Sequence, residues 1–227
     1  MSEIFEFFFL EYKTYSTIDI TLEIIAVIFG FSSVWFSKQN NILVFPTGMI
    51  STSIFVYLLL KWGLLGDKMI NIYYFIMSVY GWYIWTRKND QKSVTQISKM
   101  TLIEKKIACF IFIATLFFVY FVYNTSSMKG IAPDHQTLME RLKPGKWMNW
   151  VAYVDTFTTA IFFVGMWLMA KRKIENWVFW IIGDIISIPL YFYKGFTFTS
   201  FQYLGFTFIA IFGYLAWKKN LNRNQLT

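Results

Sequence analysis

Long apolar runs separated by short charged segments set the rhythm of this chain. Seven such runs stand out, over residues 18–36, 42–60, 69–85, 107–123, 150–170, 173–193 and 197–217. Each approaches the roughly 20 residues that a helix needs to cross the hydrocarbon core of a bilayer. Lipid offers a backbone amide no hydrogen-bond partner, so every run is expected to be helical. Pro46 falls in the first turn of the second run, where its missing N–H costs little. Pro189 lies deep in the sixth and is expected to kink or locally open it. Before the first run, FEFFFL lies between acidic residues and suits a short interfacial helix. The pattern predicts an all-α polytopic membrane protein with seven transmembrane helices.

Polar residues inside these runs are few, and the deepest of them is Asp184. A carboxylate near the centre of a membrane helix costs about 2.5–3.5 kcal/mol even on the lenient insertion scale. It needs a pairing helix or a ligand. At 100° per residue, Trp177, Trp180, Asp184, Ile188 and Tyr191 share one stripe of the sixth helix. Aromatic faces beside a buried anion would receive a flat organic cation. The bland alternative puts the tryptophans in interfacial belts and pairs Asp184 with another helix.

Composition agrees with the membrane reading. The chain is 56% hydrophobic and only 15% charged, against about 25% charged for a soluble domain. Its net charge of +8 would suggest nucleic acid in a soluble protein, but here the basic residues flank apolar spans and report topology instead. Loops after the first, third and fifth spans, with the C-terminal tail, hold most of the 21 Lys and Arg. Acidic residues there are Asp90, Glu104 and Glu175. The positive-inside rule then places the C-terminus in the cytoplasm and the N-terminus outside.

An internal repeat is visible. KQNNILVFPTGMIS from Lys38 lies over KIENWVFWIIGDII from Lys173, a spacing of 135 residues, matching Asn41 with Asn176 and Gly48 with Gly183. YGWYIWTRKN from Tyr80 answers FGYLAWKKN from Phe212 at a spacing of 132, with Gly81 over Gly213 and Trp85 over Trp217. A loop three residues shorter in the second copy would reconcile the two spacings. Equivalent spans enter from the same side, which makes a 3+1+3 parallel repeat of the kind found in SWEET-type transporters. The organisation expected is an N-terminal segment 1–17, a first three-helix repeat 18–88, loop, linker helix and connector 89–149, a second repeat 150–217, and a tail 218–227.

GWYIWTRK at Gly81–Lys88, KIENWVFWIIGDIISIPLYFYKG at Lys173–Gly195 and EIIAVIFGFSSVWFSKQNNILVFPTG near the start together resemble the PnuC vitamin transporters. The resemblance spans nearly the whole chain, with the ENWxxW segment its most specific part. It implies a SWEET-related fold in the bacterial cytoplasmic membrane and energy-independent diffusion of a vitamin-type substrate that a cytosolic kinase traps by phosphorylation. Nicotinamide riboside is the best-known substrate of the family; other branches are associated with thiamine, riboflavin and deoxynucleosides. Its nicotinamide riboside carriers commonly place Asn where this chain has Asp184, and here fewer amides accompany it. A fixed charge favours a cation, so nicotinamide riboside comes first and thiamine close behind.

Around Asp184 the candidate substrate residues are Trp177, Trp180 and Tyr191 on its own helix, Ser51 and Thr52 on the second, Asn71, Tyr74 and Ser78 on the third, Asp155 on the fifth and Gln202 on the seventh. Each has a plainer reading. The third-helix stripe, which continues to Trp82 and Trp85, suits helix packing and an aromatic belt. Asp155 and Glu23 are shallow enough to snorkel or pair, and Gln202 shares its face with Gly205 and Gly213. Asn41 and Asn176 suit helix caps. No HExxH, CxxC or GxSxG occurs, Cys109 is the single cysteine, and the single histidine, His135, falls in a connector. Neither a catalytic residue nor a metal or cofactor site is expected. A seven-helix receptor is the competing class, and the oligomeric state, a homo-oligomer included, is left open.

Overall fold

The computed structural model describes residues 16–61, 65–89, 92–93, 96–124, 150–193 and 197–224. Among the described residues run seven long helices: α1 (Thr17–Lys38), α2 (Val44–Lys61), α3 (Leu65–Thr86), α4 (Leu102–Asn124), α5 (Trp150–Ala170), α6 (Asn176–Tyr193) and α7 (Thr197–Asn224). Between α3 and α4, strands β1 (Lys88–Asn89) and β2 (Lys92–Ser93) form a minimal antiparallel pair that the apolar pattern does not predict. The FEFFFL segment and the His135 connector lie outside the described residues.

Among the described residues, five helices are long and apolar enough to cross a membrane: α1, α2, α6 and most of α5 and α7. The other two are equally long but begin on charges, Asp67 and Lys68 in α3 and Glu104, Lys105 and Lys106 in α4. Outward-facing Phe110, Phe117 and Phe121 give α4 a strongly apolar surface all the same.

Packing follows a closed order. Helix α1 packs on α2 and α2 on α3, as α5 does on α6 and α6 on α7. The two sets join where α3 meets α5 and where α7 meets α1, and α4 lies against α5. At one end, the N-cap hydroxyl of Ser16 accepts the Asp19 N–H, and Asp19 pairs with Lys61 at 2.6 Å. That pair fastens the start of α1 to the end of α2. The corresponding fastening of α5 to α6 is aromatic, Trp150 against Tyr193 at 4.7 Å.

Features of the first three helices recur 132 residues later throughout. Helix starts Val44 and Leu65 answer Asn176 and Thr197. Both α1 and α5 end on a left-handed residue, Asn40 and Arg172, each at φ 54°. The same closing bonds follow, Asn41 N–H to the Phe36 carbonyl and Lys173 N–H to that of Leu168, both 2.9 Å. Phe45 meets Trp85 edge-on at 4.9 Å, and Trp177 meets Trp217 edge-on at 5.5 Å. Two hydrogen bonds then cross between the halves. The Trp85 indole donates to the Ala170 carbonyl at 3.0 Å, and the Trp217 indole donates to the Ser37 carbonyl at 2.9 Å.

These contacts revise several expectations. The spacing is 132 in both segments rather than 135 in the first, so the shortened loop is not needed. Trp85 is buried in the core rather than in an aromatic belt, whereas Trp82 is exposed. Asn41 does accept a local backbone bond, from the Leu43 N–H at 3.0 Å, but the Asn176 amide donates to the Lys173 carbonyl instead.

A second fastening holds α4. Thr101 and Glu104 form a reciprocal capping box: the Thr101 N–H donates to the Glu104 carboxylate at 2.9 Å, and the Glu104 N–H to the Thr101 hydroxyl at 3.2 Å. That carboxylate also pairs with Lys173 at 2.9 Å and Lys171 at 3.4 Å, both on the α5–α6 turn. Backbone bonds join the same turn to Ser98, from the Ser98 N–H to Arg172 and from the Ile174 N–H to Ser98. Nearby, Arg172 stacks over the Trp85 ring at 3.9 Å, and burial lowers its guanidinium pKa to about 10.

Two predictions follow from these contacts. A methyl at Gly81 would run into the Phe45 ring, and one at Gly213 into Trp177, whereas one at Gly205 meets Phe31 at an ordinary 3.6 Å. Gly81→Ala and Gly213→Ala should each lose about 1–3 kcal/mol and melt earlier in detergent, with Gly205→Ala close to wild type. Second, burial opposes the Glu104 charge, but the Thr101 N–H, the Lys173 ammonium and the Thr101 hydroxyl outweigh it and hold the carboxyl at about 2. A pKa depressed in the folded state adds stability above the ordinary carboxylate range, and that stability fades as pH falls toward about 2. Glu104→Gln should therefore lower Tm at neutral pH, with the gap to wild type closing between about pH 5 and pH 2; a gap constant with pH would show that the charge contributes nothing.

Candidate functional site

Asp184 stands eight residues into α6, about 12 Å along the helix axis from Asn176. It is 3% exposed. Among the described residues no hydrogen bond or ion pair engages its carboxylate; the ion pairs lie elsewhere, at Asp19–Lys61 and at Glu104 with Lys171 and Lys173. The preceding residue is Gly183, and the Phe162 ring of α5 rests where a Cβ would project. That seat puts an aromatic ring against the residue next to the acid.

The Phe162 ring stacks with Trp180 of α6 at 5.4 Å and, on nearly parallel planes, with Tyr203 of α7 at 6.1 Å. Tyr203 also meets Tyr191 of α6 at 5.0 Å. From α3, the Tyr74 ring approaches Trp180 at 6.2 Å and lies within electrostatic reach of Asp184 and Tyr203. Four helices thus contribute rings around one buried carboxylate. The α3–α5 wall is held rigid by Tyr73, which stacks on Phe163 at 3.9 Å and donates its hydroxyl to the Phe163 carbonyl at 2.8 Å. Gly165 of α5 faces Phe179 and Trp180 of α6, where a Cβ would make ordinary van der Waals contact.

Of the residues expected from sequence, Asp184, Trp180, Tyr191 and Tyr74 are brought together here. Trp177 departs from that group. Its ring is 1% exposed, stands edge-on to Trp217 and covers Gly213, so it packs the core and has no face left for a ligand. Ser51 donates to the Ala26 carbonyl at 2.8 Å, a bond between α2 and α1. Thr52 donates back to Gly48 of its own helix at 2.8 Å, and Ser78 is buried facing Gly48. These three belong to a small-residue contact among α1, α2 and α3. Asn71 lies half-buried one turn from Tyr74, and Gln202 half-buried beside Tyr203. Asp155 is two turns from Phe162 on α5, half-buried, with its backbone carbonyl accepting the hydroxyls of Thr158 and Thr159.

Phe162 and Tyr203 were not expected as site residues. Phe162 shares the α5 face of Asp155 and Thr158, but a phenylalanine on an apolar helix carries no signal of its own. Its complement is Gly183, legible in sequence as a repeat landmark and now the seat of the ring.

The constant spacing sharpens the comparison between halves. Phe162 corresponds to Gly30, Trp180 to Gly48, Gly183 to Ser51 and Asp184 to Thr52. Where the second half places rings and a charge, the first has glycines and hydroxyls. Asp184 is therefore matched by Thr52 rather than by Met49, which the spacing of 135 would pair with it.

The fold defines a polytopic helical membrane protein with an acid buried among aromatic rings. Residues 20–219 match the nicotinamide mononucleotide transporter family, and the chain belongs to that family, the one that includes the PnuC proteins. It is a membrane transporter and not an enzyme. The nicotinamide riboside transporter PnuC of Escherichia coli is 24% identical over 205 residues, covering 86% of this chain and 84% of that one. The riboflavin/roseoflavin transporter RibM of Streptomyces davaonensis is 21% identical over 141 residues, covering 62% and 58%. A crystal structure of the vitamin B3 transporter PnuC superposes with a TM-score of 0.61 at 20% identity, covering 91% of this chain and 84% of that one.

Proposed function

We propose that this transporter carries nicotinamide riboside by energy-independent facilitated diffusion and that intracellular phosphorylation by a cytosolic kinase keeps the product inside. The observation that carries the substrate class is Asp184, 3% exposed, without an ion-pair partner among the described residues, in a cluster of aromatic rings from four helices. A pyridinium is flat and positively charged. Stacked against Trp180 or Phe162 it would gain about 2 kcal/mol from the ring quadrupoles once desolvated, and the carboxylate would neutralise it. A flavin, the cargo named for the relative from Streptomyces, has no such need of a fixed anion. Thiamine, whose thiazolium is also a flat cation, is the second reading, supported by the same carboxylate. Asn71, Gln202 and Asp155 are the polar candidates for the rest of the substrate.

In this reading the chain is a 3+1+3 parallel repeat, SWEET-related, with α4 as linker. The recurring spacing and the crossing indole bonds support it. The basic loops put the C-terminus in the cytoplasm of a bacterial cell and the N-terminus outside.

Purified protein should be stabilised strongly by nicotinamide riboside, less by thiamine, and little by riboflavin or deoxynucleosides in a thermal-shift series. Asp184→Asn should weaken the cations at least tenfold, about 1.4 kcal/mol, and leave uncharged nucleosides alone; equal loss for both would refute charge recognition. Orientation is checked by a single cysteine added to the tail in a Cys109→Ala background, necessary because Cys109 is itself exposed. It should resist an impermeant thiol reagent in intact cells and react after lysis.

A further inference from the structure

We infer that Ser187 is a further recognition residue of this site, its hydroxyl bonding a hydroxyl group carried by the organic cation. The inference rests on the reading of the aromatic cluster as the substrate site and assigns a part of the substrate that neither Asp184 nor the rings would hold.

Ser187 follows Asp184 by three residues on α6, about 4.5 Å further along the axis. At 100° per residue, Trp180, Asp184, Ser187 and Tyr191 fall within about 60° of one another, and Ile188 lies outside that arc. One turn before Ser187 is Gly183, the seat of the Phe162 ring, and one turn after it is Tyr191. The Tyr203 ring meets both, Phe162 at 6.1 Å and Tyr191 at 5.0 Å, and so brackets the level of Ser187 from α7. At the same level α7 is fixed to α6 by the Ser200 hydroxyl, which donates to the Ile188 carbonyl at 2.8 Å.

In that setting Ser187 is fully buried, and its hydroxyl has no hydrogen-bond partner among the described residues. Other buried hydroxyls of the bundle are engaged. Thr52, Thr115, Thr159 and Thr207 each donate to the carbonyl one turn back on their own helix, and Ser51 and Ser200 donate to a neighbouring one. Ser37 shares the exception, but it lies at the end of α1, where Trp217 takes its carbonyl. For Ser187 the ordinary acceptor would be the Gly183 carbonyl, and the hydroxyl does not take it. Nor does it bond the Asp184 carboxyl three residues away.

A buried hydroxyl without a partner is costly, and a substrate that supplies the missing bond recovers that cost on binding. The chemistry of the cation fits. In nicotinamide riboside the sugar is attached to the charged nitrogen itself, so its hydroxyls lie close to the charge. In thiamine a hydroxyethyl arm leaves the thiazolium. With the charge at Asp184, a protein hydroxyl less than one helical turn away can donate to or accept from either arm. The first half has Phe55 at the corresponding position, so this hydroxyl, like Asp184, belongs to the second half alone.

The test measures binding to purified full-length protein, wild type and Ser187→Ala, by titration calorimetry. The ligands are nicotinamide riboside, analogues that each lack one of its ribose hydroxyls, and thiamine. Ser187→Ala should weaken nicotinamide riboside and thiamine about tenfold. One analogue should bind wild type about as weakly as the parent binds the variant, and should be indifferent to the substitution; that analogue identifies the hydroxyl contacted. Without ligand the variant should melt no lower than wild type, because no bond within the protein is lost. Equal weakening of nicotinamide riboside and every analogue, or weakening of none, would overturn the assignment and leave the substrate reading intact. Wild-type protein that binds neither nicotinamide riboside nor thiamine would refute that substrate reading, and the assignment with it.

Discussion

Two indole hydrogen bonds crossing between the halves are the constraint on which the rest of this structure depends. Trp85 closes α3 against the end of α5, and Trp217 closes α7 against the end of α1. Each indole is also the base for a ring that meets it edge-on, Phe45 or Trp177, and each ring lies on a glycine of the same closing helix, Gly81 or Gly213. Lipid supplies no hydrophobic drive for helix association, so close packing and buried hydrogen bonds must do it. Here the two are concentrated at one end of the bundle. The left-handed residues Asn40 and Arg172 turn the chain directly beside the carbonyls that the indoles engage. With that end fixed, the site eight residues further into α6 acquires its position.

Around this common frame the two halves trade volume. In the second, Gly183 makes room for Phe162, and Gly165 lies in ordinary contact with Trp180. In the first, the corresponding places are Ser51 under Gly30 and Ser33 against Gly48, small residues on both sides of the contact. Their hydroxyls are engaged with backbone, Ser51 with Ala26 and Ser33 with Val44. The first half is thus tied together by short interhelical bonds, and the second by large rings with a carboxylate among them. The same division appears at the opposite end, where Asp19 and Lys61 in one half answer Trp150 and Tyr193 in the other. Equivalent contacts at a spacing of 132 thus carry hydroxyl-to-backbone bonds in the first half and large rings in the second.

How much of this the sequence discloses depends on the range of the interaction. The positions of the seven long helices follow from the apolar runs, because the bilayer imposes their length directly, while the charged ends do not: α4 begins at Leu102, ahead of its run, and α7 continues to Asn224 past its own. Asp184 declares itself because an acid amid some ten apolar neighbours has no cheap explanation. The repeat is visible, but its register in the first segment is not. A slip of three residues is close to one helical turn, so it nearly preserves which residues share a face. Asn41, Lys38 and Gly48 find false partners at 135 for that reason, while Trp85 and Gly81 find true ones at 132. Trp177 and Trp180 look alike on the stripe, three residues apart, yet the first is consumed by Gly213 and Trp217 and the second is turned toward Phe162. That difference is made entirely by α5 and α7, which no pattern within α6 can register.

The register matters for what the charge means. Paired with Met49, Asp184 would replace an apolar residue, and its charge would be an addition with nothing before it. Paired with Thr52, it stands where the first half keeps a polar group satisfied by its own helix at Gly48. A threonine can bury its hydroxyl that way at little cost, since the acceptor is one turn back on the same helix. An aspartate cannot: a carboxylate accepts hydrogen bonds, and the interior of a helix exposes only carbonyl oxygens to it. In its acid form it offers one donor, and in its ionised form none. At this position a self-sufficient polar residue in the first half is answered in the second by one whose carboxyl needs a partner from outside its own helix.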